Sequence, residues 1–230
     1  MPKIPLLLLP GLLCDAAVWK HQINHLNDIA EITIPNLNHA STPDEMVAAV
    51  LDVAPPVFAL AGHSMGGWVA LEVMKHASAR VQQLCLINTT ANPDTKEKSA
   101  TRLKLIELAK LGQYETIINM LMKLFIYQQP YFQEVYSMLE RNKLAFIDQE
   151  TAMLKRQDCI SVLSSVQCPT IIIHSNQDAI FTMDDCEILH RNIAHSELFM
   201  IQECGHMSPI ESAVDVTTFM RQWLLNNNQH

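Results

Sequence analysis

Glycine is scarce in this sequence, with six residues in 230. Three of the six fall between residues 62 and 67, so that cluster carries information a glycine-rich chain would dilute. No stretch approaches the ~18 consecutive apolar residues that a membrane span needs, and no membrane partner is expected. The N-terminal MPKIPLLLLPGLL does not read as a secretory signal: its apolar run, Leu6 to Leu9, is short, prolines interrupt it, and no clean small-residue cleavage site follows. Positive charge is in deficit, with 16 Lys and Arg against 24 Asp and Glu for a formal charge of −8. A phosphate backbone would be repelled, which argues against nucleic acid as a general partner. The six cysteines (Cys14, Cys85, Cys159, Cys168, Cys186 and Cys204) contain no CxxC and no metal-like cluster. They read as scattered buried thiols in a reducing, cytoplasmic compartment, with no metal and no cofactor expected. There is no internal repeat and no low-complexity tract.

What is present is enough for one sizeable domain with a full core, since 49% of the residues are hydrophobic. Apolar runs at 4–9, 30–34, 57–61, 83–87, 170–174 and 197–201 read as strands. Helical spacing fills 16–27, 43–53, 65–78, 183–192 and 211–225 between them. Strands alternating with helices imply βαβ units, hence an α/β fold with a mostly parallel sheet covered on both faces. One interval breaks the rhythm. From Asn92 to Arg156 there are only helical stretches (99–111, 113–126, 130–143 and 147–156), opened by the turn-rich Asn92-Pro93-Asp94. Residues 1–91 and 157–230 therefore read as the core, and 92–156 as a helical lid inserted after the fourth strand, over the carboxyl edge of the sheet where open α/β folds bind ligands. Residues 96–156 hold ten Lys and Arg against seven Asp and Glu, while the rest of the chain has six against seventeen. A mildly basic lid on an acidic body is attracted to its own core, or is simply a solvated helical surface, or receives an anionic substrate or an acidic carrier protein.

The glycine cluster lies in LAGHSMGGWVALEV, residues 60–73, which contains the G-x-S-x-G sequence Gly62-His63-Ser64-Met65-Gly66. Alone that pattern is weak. Here it follows a predicted strand and opens a predicted helix, the setting of a nucleophile elbow, where close backbone approach leaves no room for a Cβ. Ser64 is then the candidate nucleophile, and a serine hydroxyl needs a base. His206, in the loop Glu203 to Pro209 after the last strand, lies on the same rim of the sheet. Asp178 follows the preceding strand and is placed to hold the imidazole in its working tautomer. Asp184 and Asp185 compete for that role but fall where the next helix begins, the usual place for acids at a helix N-terminus. An oxyanion site needs two donors, and the backbone N–H groups of Met65 and of Leu12, in Pro10 to Asp15, are the candidates.

These residues together resemble the α/β-hydrolase superfamily over nearly the whole chain. The likeness is strongest to the small esterase-like branch that includes pimeloyl-acyl-carrier-protein methyl ester esterases and 3-oxoadipate enol-lactonases. LLLLPGLLCDAAVW is similar to the first strand and oxyanion loop of that branch, GHSMGG to its elbow, and CGHMSPIE to its histidine loop. The return from the lid into the acid strand is similar as well, in RQDCISVLSSVQCPTIIIHSNQD. The resemblance implies a metal-free serine hydrolase with a helical cap. Three departures accompany it. Pro10-Gly11 replaces the usual His-Gly, and Pro35 to Ser41 replaces a loop that normally carries two glycines. Only three residues precede Ile4, so the two leading antiparallel strands are missing. A trimmed, six-stranded parallel sheet in the order second, first, third, fourth, fifth, sixth is expected.

The leading functional expectation is hydrolysis of a carboxylic ester with a small or medium acyl group, a carboxylesterase activity, the ester being free or presented on an acyl carrier protein. Two alternatives stay open: the same site acting as an enol-lactonase, C–C hydrolase or lyase, or a catalytically silent ligand-binding protein. Met120, Met122, Leu124, Phe125, Tyr127, Tyr131 and Phe132 could line an apolar pocket, although at helical spacing most belong to the lid's own core. Leu13, His63 and Met207 flank the motifs and join Met120, Leu124 and Phe125 as candidate substrate contacts; for His63 simple packing is the equal alternative. Trp68 reads as structural. The chain is expected to act as a monomer or homodimer.

Overall fold

The computed structural model of the chain describes residues 2–226. Ile4–Leu9 forms β1, Ala30–Thr33 β2, Phe58–His63 β3, Val81–Ile87 β4, Thr170–Ser175 β5 and Ser196–Ile201 β6. They make one six-stranded sheet in the order β2-β1-β3-β4-β5-β6, with every neighbouring pair parallel. This is the expected order. The central strands are apolar through their length because helices cover both faces: Leu6, Leu7, Leu8 and Leu9 of β1 are all fully buried. β4 begins two residues earlier than its apolar run suggests. Polar Gln82 and Gln83 obscure its start, and buried Gln83 is accommodated by donating to the Trp223 carbonyl at 2.6 Å.

The helices start and stop at legible signals. Lys20–Leu26 is α1, preceded by a 3₁₀ turn, Ala16–Trp19, capped by Asp15. Pro43–Leu51 is α2, with Thr42 as its N-cap and Pro43 in its first turn. Met65–Ala77 is α3, buried continuously from Met65 to Met74 beneath the centre of the sheet. The pattern expected over 211–225 is two helices: Ser208–Glu211 (α10) and Ala213–Leu225 (α11), broken at Ser212 where φ is −129° and ψ is 48°.

Between β4 and β5 the chain forms α4 (Lys96–Lys110), α5 (Tyr114–Phe125), α6 (Phe132–Arg141) and α7 (Phe146–Leu154), then the short α8 (Ile160–Leu163). Helix α9 (Met183–Asn192) follows β5. Buried Ile117, Ile118, Leu121, Met122 and Phe125 recur at helical spacing along α5, leaving Met120 and Leu124 on its more open side. All six cysteines are free. Among the described residues, no helix is long and apolar enough to cross a membrane. No group of three or more His, Cys, Asp or Glu side chains among them is placed to hold a metal ion.

The close approach of α3 to the sheet depends on one glycine above all. A Cβ built on Gly66 would lie 2.2 Å from the Leu9 carbonyl oxygen and 2.7 Å from that of Pro10, both backbone atoms that cannot swing away. Gly112 has the opposite setting, with φ at 75° and open space around it. Gly66→Ala should therefore cost several kcal/mol or prevent folding, whereas Gly112→Ala should cost only about 1 kcal/mol through its positive φ. Urea unfolding of the two variants measures this; equal losses would remove the packing argument.

Candidate active site

Ser64 is the residue between β3 and α3, and its backbone is held at φ 55° and ψ −118°. A non-glycine residue held there is strained unless its surroundings over-determine it. They do. The Ser64 N–H donates to the Ile87 carbonyl at 2.9 Å, and the Thr89 hydroxyl donates to the Ser64 carbonyl at 2.8 Å. On the inner side, a Cβ on Gly62 would fall 2.2 Å from the Gly66 carbonyl oxygen, so only glycine allows the chain to fold back so tightly. The turn presents the Ser64 side chain at the carboxyl edge of the sheet.

Two further strand ends bring partners to it. The loop after β6 carries His206, whose Nε2 lies 2.8 Å from Ser64 Oγ. The loop after β5 carries Asp178, whose Oδ2 lies 2.9 Å from His206 Nδ1. With Nδ1–H donating to the carboxylate, Nε2 is left to accept the Ser64 hydroxyl proton. Asp178 also accepts the N–H groups of Ile180 (2.8 Å) and Phe181 (3.2 Å) on Oδ1, and the Asn88 amide (2.8 Å) on Oδ2. Burial opposes its charge, but His206, the Ile180 N–H and the Asn88 amide together outweigh burial and hold the carboxyl well below the usual range. Asp178 is thus ionised at any ordinary pH. Asp185, its rival in sequence, is engaged elsewhere: it forms the capping box of α9 with Thr182 and accepts from Thr90 and Asn92.

His63, directly before Ser64, supports this arrangement from behind. It is fully buried, and its Nε2–H donates to the His206 carbonyl at 2.8 Å. Burial, reinforced by neighbouring His206, pushes its pKa down to about 3, so it stays neutral. Its ring is not part of the wall of the cavity in front of Ser64, and its bond holds the backbone of the histidine loop. The His206 ring is also enclosed by Phe125 and Phe181, with ring centroids 5.2 and 5.6 Å away.

A cavity of about 340 Å³ opens in front of Ser64. Leu12, Met65, Leu121, Leu124, Phe125 and Phe181 are in its wall. A larger hollow of about 500 Å³, between α1 and α11, includes none of Ser64, Asp178 or His206, so volume alone points away from the reactive groups. Met65 is the first residue of α3, where an N–H has no intrahelical acceptor. Leu12 precedes Leu13, whose φ is 56° and whose N–H is held at 2.9 Å by Gln149 of α7. The same Gln149 amide reaches back to Leu37 and Asn38, in the loop that lacks the usual glycines.

Of the expected substrate contacts, Leu124 and Phe125 line the cavity. The other four are placed elsewhere. His63, Leu13 and Met207 are buried behind the site, while Met120 turns 45% of its surface to solvent on the open side of α5. Several supporting residues are not flagged by any motif. Asn88 bridges Asp178 and the Ser208 hydroxyl; its one signal is a polar residue directly after a buried strand. Glu211 is buried below the histidine loop and accepts the N–H groups of Tyr127 (2.9 Å) and Gln128 (2.7 Å), fastening the end of α5 beside His206. A third group is ionic. Asp94 and Arg156, on the two crossings between core and helical insert, pair at 2.6 Å, and Arg102 of α4 bridges Asp94 (2.5 Å) and Glu150 of α7 (2.8 Å). All four line the cavity.

Comparison with known proteins agrees with this architecture. The alpha/beta hydrolase family model matches residues 6–218. A pimeloyl-[acyl-carrier protein] methyl ester esterase of Nitrosomonas europaea is 23% identical, covering 87% of this chain and 88% of its own. Among solved structures, a thermophilic esterase from Thermogutta terrifontis superposes with a TM-score of 0.88 at 24% identity, over 98% of this chain and 91% of its own. The enol-lactonase from Burkholderia xenovorans superposes at 0.79 with 17% identity, over 97% and 92%.

The Asp94–Arg156 pair fastens the neck of the insert, where the Cys159 N–H also donates to the Ala91 carbonyl at 3.0 Å. Their side chains are only 5% and 3% exposed. Asp94→Ala leaves a guanidinium buried without its partner and should destabilise by about 3–5 kcal/mol. A urea midpoint lowered at unchanged slope checks this; an unchanged midpoint would mean that the pair does not hold the neck.

Proposed function

The chain belongs to the alpha/beta hydrolase family, and from that premise we propose that it is a serine hydrolase cleaving carboxylic esters of small or medium acyl groups. The observation that carries this reading is the hydrogen-bonded chain from Ser64 through His206 to Asp178, opening onto a largely apolar cavity. In the proposed reaction His206 takes the Ser64 proton as Oγ attacks the ester carbonyl. The N–H groups of Leu12 and Met65 stabilise the oxyanion, Met65 with the positive end of α3 behind it. His206 then returns the proton to the leaving alcohol. Water, deprotonated by the same imidazole, releases the acid from Ser64. Asp178, ionised throughout, stabilises the imidazolium that forms in each half.

Residues 92–156 act in this reading as a lid that supplies Leu121, Leu124 and Phe125 to the acyl pocket and keeps water from the reacting centre. The esterase relative is named for an acyl-carrier-protein methyl ester, so carrier-borne esters belong with free ones in a substrate panel. Enol-lactone opening would use the same residues, and the structural likeness to an enol-lactonase is the reason to include lactones in that panel.

The test is steady-state hydrolysis of p-nitrophenyl esters of graded chain length. Ser64→Ala should lower kcat by about a thousandfold or more, and Asp178→Asn by a comparable factor, with little change in KM. Equal rates for wild type and Ser64→Ala would show that the assigned nucleophile is wrong.

A further inference from the structure

The hollow of about 500 Å³ between α1 and α11 has no part in the proposed reaction. Two of its lining residues, His21 and His25, stand about one helical turn apart on α1. Positions i and i+4 share a helix face, and the two imidazoles stack there with ring centroids 4.0 Å apart and planes inclined by 16°. Neighbouring hydrogen bonds decide where the ring protons sit. His25 Nδ1 lies 2.9 Å from the His21 carbonyl, which can only accept, so Nδ1 carries the proton. His21 Nδ1 lies 2.7 Å from the Thr217 hydroxyl. That hydroxyl donates its own proton to the Ala213 carbonyl at 2.6 Å and accepts from the Gln22 amide at 3.1 Å. It therefore accepts from His21 as well, and each ring is left with a lone pair on Nε2. Neither Nε2 has a hydrogen-bond partner among the described residues.

We propose that His21 and His25 bind a divalent transition-metal ion of the imidazole-preferring class, such as Zn²⁺, through their two Nε2 atoms, with water in the remaining positions. The site is independent of the ester-hydrolase reading. A metal-binding histidine almost always donates its other ring N–H to a fixed acceptor, which sets the tautomer and the ring orientation. Both rings already have that support, from the His21 carbonyl and from Thr217. An anion would need N–H groups at Nε2, where these rings offer lone pairs. The spacing is that of the zinc-binding helix pair, in which an acid follows the first histidine as general base. Here Gln22 follows it, buried, with its amide turned inward to the Pro209 and Ala213 carbonyls, so the pair binds without that chemistry. Two nitrogens on one tetrahedral zinc lie about 3.3 Å apart, a separation these stacked rings reach by a small splay. The charged lining is Lys20 against Glu134, Asp215 and the sealed Glu211, so acids outnumber the one ammonium. Arg221, which donates to the His25 carbonyl, is paired with Asp28. Burial, then the His25 ring beside it, holds the His21 pKa below its ordinary value, so protons compete less with the metal there. Two protein ligands are fewer than a structural or catalytic zinc site uses, so the ion exchanges with solution.

The experiment is calorimetric titration of the chelator-treated protein with zinc chloride, in a non-coordinating buffer at neutral pH, beside His25→Ala and Thr217→Val. Wild type should bind one zinc ion per chain saturably at this pair. His25 is exposed, so His25→Ala should keep the fold, shown by an unchanged circular dichroism spectrum, and lose that ion. Thr217→Val keeps both imidazoles but removes the acceptor that fixes the His21 proton, and affinity should fall about tenfold to a hundredfold. No saturable binding by wild type overturns the site. The same stoichiometry and affinity in His25→Ala also overturns it, by showing that zinc is held elsewhere. Unchanged affinity in a folded Thr217→Val protein overturns the claim that α11 builds the site and leaves only an ordinary surface pair.

Discussion

A serine forced to φ 55° between a parallel strand and a helix is the constraint on which the rest of this structure depends. The turn exists because Gly62 and Gly66 have no Cβ where the backbone of α3 and the Leu9 carbonyl come closest. It is held open by bonds from its neighbours: the Ile87 carbonyl on one side and the Thr89 hydroxyl on the other. Its effect is to lift Oγ out of the sheet to where the loops after β5 and β6 end. The hydroxyl, imidazole and carboxylate come from three strand ends, and the parallel order of the sheet places those ends on a single edge.

Strain is concentrated on that edge. The four non-glycine residues with positive φ among those described are Leu13, Ser64, Asn88 and Glu203, which follow β1, β3, β4 and β6. Each lies beside the site. Leu13 sets the direction of the loop that contains Leu12, Asn88 holds Asp178, and Glu203 opens the histidine loop and accepts the Gln128 amide. Residues in such conformations persist only where surrounding contacts fix them, and here the helical insert supplies many of those contacts. Gln149 secures Leu13, Arg141 and Asn142 hold Asp15, and the end of α5 is bound by Glu211. The helices between β4 and β5 therefore help to position the rim and contribute to the wall of the cavity.

Much of this was legible in the sequence because the signals were local. The strands appeared as apolar runs, and GHSMGG, the loop after β5 and CGHMSPIE each sat at the end of one. That is why Ser64, Asp178 and His206 stand out in the sequence as candidates. The supporting residues were not legible, because their meaning depends on a partner far along the chain. Gln149 reads as an ordinary helix polar residue until Leu13, 136 positions away, is seen beneath it. Arg102 and Arg156 contribute to a basic stretch in composition, yet the fold turns them inward onto Asp94 and Glu150. For His63 the sequence left substrate contact and packing equally open, and its bond to the His206 carbonyl gives it a bracing role that adjacency to Ser64 could not reveal.

The central claim is that Ser64 is made reactive by its place in the turn together with His206. Covalent labelling with a fluorophosphonate probe, followed by peptide mass spectrometry, tests it most directly. The probe is predicted to add one phosphonyl group to the peptide containing Ser64, with labelling largely lost in His206→Ala although that variant remains folded. An unlabelled Ser64 in the native protein, or equal labelling with and without His206, would contradict it.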